Sequence, residues 1–78
     1  MLTDAEAKSF LAANLVRLLR NRGISQNALA QLAGETPMRI STICRGTHIP
    51  DVACVARIAE ALDVSIDALL RPVGAISK

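Results

Sequence analysis

Gln26-Asn27-Ala28-Leu29-Ala30-Gln31-Leu32-Ala33-Gly34-Glu35-Thr36-Pro37-Met38-Arg39-Ile40-Ser41-Thr42-Ile43-Cys44-Arg45 reads as two short helices, near 26–33 and 37–45, joined by Gly34-Glu35-Thr36. Two short helices that cross closely need a small residue at the crossing, a glycine in the turn, and apolar residues that lock the second helix down. Ala30, Gly34, Ile40 and Ile43 meet those needs, with Leu29 and Ala33 filling beneath. Thr36 is an N-cap residue and Pro37 falls at N1, where its missing N–H costs nothing. The spacing predicts a second helix held proud of the body, in the way a helix is presented to a DNA major groove.

Working outward, Thr3-Asp4-Ala5-Glu6 is a Thr-x-x-Glu capping box that starts a first helix near Asp4, and Gly23 is its left-handed stop. Ser25 caps the second helix. The third ends by Gly46, and Thr47-His48-Ile49-Pro50 is a loop, because a residue before proline is pushed out of the α region. Asp51 caps a fourth helix in which Val55, Ile58, Ala59 and Leu62 form an i, i+3, i+4, i+7 stripe. Ser65 to Leu70 is a short fifth helix that stops before Pro72. No stretch reads as a strand, so the expected fold class is all-α, a compact five-helix bundle with a helix-turn-helix.

The composition agrees. Of 78 residues 51% are hydrophobic, chiefly Ala, Leu, Ile and Val, and only Phe10 is aromatic. That core suits closely packed helices and excludes an aromatic platform for single-stranded nucleic acid. Disorder is excluded by the same apolar fraction against 21% charged residues. The expected organisation is one domain over 1–78, with a first helix from about 4 and a tail over 72–78. The acids Asp4 and Glu6 stand where a secretory signal needs positive charge, and no apolar run is long enough to span a bilayer, so a cytoplasmic protein with no membrane association is expected. Cys44 and Cys54 read as small core residues. With His48 they offer three soft ligands and no fourth, so no metal and no cofactor is expected. A lone histidine in a loop, without triad partners, argues against an enzyme.

Charge is segregated. Between 17 and 48 stand Arg17, Arg20, Arg22, Arg39 and Arg45 against Glu35 alone, whereas the remainder carries more acids than bases. An anion-binding surface and an ordinary solvated face both fit that asymmetry.

Asn14-Leu15, Leu18, Gly23-Ile24-Ser25-Gln26, Leu29-Ala30, Gly34, Ile40-Ser41, Ile43, Arg45-Gly46 and Ile58 through Leu70 together resemble the phage repressor and Cro (XRE-like) family of helix-turn-helix regulators over about 14–70. The resemblance implies sequence-specific binding to double-stranded DNA, as a homodimer and in a repressor-like role. It implies base contacts at Pro37, Met38, Arg39 and Thr42. Phosphate contacts are implied at Gln26, Asn27, Thr36, Ser41, Arg45, Thr47 and His48. This reading face departs from the usual polar pattern: Pro37 cannot donate and Met38 offers only apolar contact, so shape and phosphate contacts would carry more of the specificity. Many relatives pair an arginine on the first helix with a glutamate on the third. Leu19 and Cys44 stand at those positions here.

Leu70, Val73 and Ile76, apolar at the end of the chain, are the expected dimer contacts, with a tail folded back on its own subunit as the alternative. Two other functions share the fold: an antitoxin that uses the apolar tail Val73-Gly74-Ala75-Ile76 against a partner toxin, and an interaction module that has lost DNA binding.

Overall fold

Each helix begins at a residue whose side-chain oxygen accepts a backbone N–H three residues on. In a computed structural model, described over residues 1–73, α1 spans Asp4–Arg22, α2 Gln26–Ala33, α3 Pro37–Cys44, α4 Val52–Ala61 and α5 Ile66–Leu69. Their caps are Thr3, Ser25, Thr36, Asp51 and Ser65. At Thr3 the capping box is complete, with Glu6 N–H donating to Thr3 Oγ1 at 3.1 Å and Thr3 N–H donating to Glu6 Oε1 at 3.0 Å. A cap of this kind stabilises a helix by about 1 kcal/mol, a large share of what a four- or eight-residue helix lacks by itself.

The protein is all-α, with no strand among the described residues. α1 packs on α3 and α5, α2 on α3 and α4, and α4 on α5. One continuous core results. Leu15 of α1, Leu29 of α2, Ile40 and Ile43 of α3, Ile58 of α4, and Leu62 and Leu69 are fully enclosed, and Ile24, Ala61, Val64 and Leu70 pack on the margin. α3 is thereby fixed on two sides, by the longest helix and by its partner in the turn. α3 closes at Cys44, slightly short of the expected end, because Gly46 takes a left-handed φ of 75° and Thr47 N–H returns to Thr42 O at 3.3 Å.

Among the described residues no helix is long and apolar enough to cross a membrane, and no group of three His, Cys, Asp or Glu side chains could hold a metal ion. Cys44 and Cys54 are buried free thiols. Burial pushes both up in pKa, Cys54 further so by the Glu35 carboxylate beside it, which favours the inert protonated form at neutral pH.

Candidate nucleic-acid interface

The turn between α2 and α3 is built by backbone geometry. Gly34 adopts φ 68°, which a side chain would strain, and this lets Glu35 N–H donate to Ala30 O at 2.8 Å. The chain re-enters helix at once: Thr36 Oγ1 accepts from Arg39 N–H at 3.1 Å, and Pro37 occupies N1. With Leu29, Ala30, Ile40 and Ile43 facing the core, the opposite side of α3 is left outward. Met38 is 77% exposed, so its thioether is open to whatever meets this face.

The expected contact residues divide by position. Thr36, Met38, Arg39, Thr42, Thr47 and His48 line one shallow depression on the outer side of α3, together with Glu35. Gln26, Asn27 and Pro37 are exposed and Ser41 is half-buried. Arg45 turns toward α1 instead, where it borders a groove with Lys8, Arg17 and Arg20. Two hydroxyls are already committed as donors: Thr42 Oγ1 to Arg39 O at 2.8 Å and Thr47 Oγ1 to Thr42 O at 3.1 Å. Toward a ligand each has lone pairs to offer rather than a proton, which narrows what Thr42 can read.

Glu35 is the feature that local sequence patterns do not expose. Its side chain is only 10% exposed, and its two oxygens serve different arginines. Arg57 of α4 donates from Nη2 to Oε2 and from Nε to Ala33 O at 3.1 Å. Arg39 Nε lies 3.4 Å from Oε1, a charge contact without hydrogen-bond geometry. The Arg57 hydrogen bond, then the Cys54 thiol, hold the Glu35 carboxyl below the usual carboxylate range against the opposing effect of burial, and the Arg57 and Arg39 charges add lesser contributions. Glu35 thus stays ionised on the outward face, and its only sequence signal is that it is the lone acid of a basic stretch.

Asn14 is fully buried, and its Nδ2 donates to Leu69 O at 3.0 Å and Arg71 O at 2.7 Å, tying the end of α5 to α1. Of the expected dimer residues, Leu70 is half-buried on the margin of its own core, Val73 is exposed, and Ile76 lies outside the described residues, as does most of the apolar tail invoked for a toxin. Leu70 also borders an apolar depression formed with Ile49, Pro50, Val52, Val55 and Ile66. That patch escaped the sequence reading because its members come from a loop and three helices, Ala7 and Leu11 of α1 included.

A helix-turn-helix family model matches residues 15–69. An HTH_3 family transcriptional regulator from Vibrio cholerae superposes with a TM-score of 0.79 at 37% identity, covering 86% of this chain and 38% of its own. The chain therefore spans well under half the length of that relative. A hypothetical transcription factor from Neisseria gives a TM-score of 0.83 at 26% identity, covering 94% of this chain and 82% of its own. A comparison with curated proteins returns no match. Family model, structural likeness and the α2–turn–α3 geometry agree, and the chain belongs to the phage repressor and Cro (XRE-like) helix-turn-helix family.

Proposed function

We propose that the protein is a DNA-binding transcriptional regulator, repressor-like, which inserts α3 into the major groove of duplex DNA as a homodimer. The observation that carries this is the presentation of α3: two enclosed isoleucines anchor one side, and the other side, about 12 Å long at 1.5 Å per residue, stands free with Thr36, Pro37, Met38, Arg39 and Thr42 at or near its surface. A major groove about 12 Å wide admits such a helix. Met38 would meet a thymine methyl and Arg39 a guanine edge, while Gln26, Asn27, Thr47 and His48 flank the helix where phosphates would pass. The homodimer would use the apolar patch of Ile49, Val52, Ile66 and Leu70, which shares only Leu70 with the contacts expected from the tail and replaces Val73 and Ile76.

Salt tests the function. Each phosphate neutralised contributes a slope of about −0.9 to log K against log salt, so a dimer with several contacts per subunit is expected to reach roughly −4 or steeper. Fluorescence anisotropy with a duplex selected from a random pool measures it. A flat response, or no duplex preferred over another, would remove the DNA-binding reading.

A further inference from the structure

Arg39 is the one arginine lining the depression on α3, and how its guanidinium is held decides what it can read. An arginine free to swing at a groove edge takes the nearest phosphate, which every sequence offers. Reading a guanine requires the planar fork to be held so that two N–H groups meet O6 and N7 together. We infer that Glu35 is a positioning and specificity-determining residue: it grips Arg39 by the Nε edge, turns the Nη edge outward toward a guanine, and opposes its transfer to a phosphate. The inference rests on the DNA-binding reading above.

Three observations converge on it. Arg39 Nε is buried and faces Glu35 Oε1 at 3.4 Å, so the guanidinium of this 40%-exposed side chain can present only its Nη edge outward. Glu35 itself cannot follow Arg39 toward a ligand, because its other oxygen is held from behind by Arg57, which is in turn anchored on Ala33 O at 3.1 Å. The charges also balance usefully: one carboxylate between two guanidiniums leaves the cluster at +1, so the fork keeps its attraction for a guanine acceptor pair. A carboxylate beside the fork repels a phosphate that approaches the same place. Orientation set before binding lowers the ordering cost of the contact and is lost if the supporting group is removed.

The experiment compares binding-site selections by the full chain and by Glu35→Gln, Glu35→Ala and Arg39→Ala, followed by affinities on the preferred duplex, on single-base variants and on a random duplex. Both Glu35 variants are expected to lose about tenfold in preference at one G·C pair, as on the scale of one bidentate contact. Their affinity for random duplex should hold or rise, and their salt slope should steepen by about 0.9 as Arg39 moves to a phosphate. In the Arg39→Ala background the Glu35 change should add nothing at that base pair. Wild-type binding should fall by a similar factor when 7-deazaguanine replaces the guanine. An unchanged preference in both Glu35 variants overturns the inference, and so does an equal loss on preferred and random duplexes, the result expected if Glu35 only pins the turn to α4. Should a Glu35 variant melt below the assay temperature, its selections and affinities are measured at a temperature where it is folded; indifference of the wild type to 7-deazaguanine at every guanine also overturns the inference. Failure of the wild type to bind any duplex in a salt-dependent way is a different outcome, which removes the function as well.

Discussion

Glu35 shows how much one buried-edge carboxylate can organise. Its folded-state pKa lies below the ordinary value chiefly because Arg57 donates to the ionised form, with the neighbouring Cys54 thiol also favouring it, so its contribution to stability is present above the unfolded-state pKa and is lost as pH falls through the depressed folded value. The melting temperature of wild type should therefore exceed that of Glu35→Gln at pH 7, and the gap should close on acidification below the usual carboxylate range. Thermal melts of both proteins at constant ionic strength check this. A gap that stays constant across that range would mean that shape, and not charge, is what Glu35 supplies. The sequence marks Glu35 only as the single acid in a basic stretch and gives it no role, because its partner Arg57 is 22 residues away on another helix and charge pattern alone cannot select one arginine among several. Leu19 and Cys44 are a contrasting case: both are buried, and neither brings a charge into the core that would need a partner.

Helix beginnings and helix ends are specified differently. All five N-caps bond a backbone N–H within the same turn, which is why Thr3, Ser25, Thr36 and Asp51 could be read from the sequence one after another; Ser65, expected inside the fifth helix, is its cap, and Leu70 closes it, so α5 is one residue shorter at each end. The carbonyl ends of α2, α4 and α5 have no basic residue in their last turns. Side chains from distant helices meet them instead: Arg57 at Ala33 O, Arg22 at Leu62 O, and Asn14 at Leu69 O and Arg71 O. These bonds span 24 to 57 residues, and no local pattern announces them. Asn14 is the most consequential, since it is fully enclosed and α5 is a four-residue helix with little stability of its own. Asn14→Ala leaves two carbonyls short of a donor, a loss on the order of 1–3 kcal/mol. We expect the urea midpoint to fall with an unchanged m-value, and amide exchange in α5 to rise before that in α2 and α3. Uniform acceleration across all helices would show that Asn14 supports the whole core and not α5 in particular.

At the scale of the molecule the two outward faces have opposite character, and that contrast supports an assembly. The face of α3 carries guanidinium, carboxylate, hydroxyl and imidazole groups, whereas the patch of Ile49, Val52, Ile66 and Leu70 is almost wholly apolar. Val52 is 79% exposed there, so its methyl groups contribute little to the fold of one subunit. A two-fold contact through this patch would place the same residues against each other, and a homodimer on DNA would present two α3 helices about 34 Å apart, one turn of the duplex. Val52→Glu is the discriminating change. A surface substitution of this kind usually alters stability by no more than about 0.5 kcal/mol, so the melting temperature at low protein concentration should hardly move. In a dimer, however, two glutamates would meet in a desolvated apolar contact, and sedimentation should show loss of self-association. Binding to a duplex with two half-sites should then drop toward the affinity for one half-site, with a shallower salt slope, while single half-site binding stays as in wild type. Removing residues 72–78 separates this interface from one made by the tail: the apolar patch predicts that self-association survives. If Val52→Glu sediments as wild type and the truncated chain is monomeric, the tail and not the patch joins the subunits.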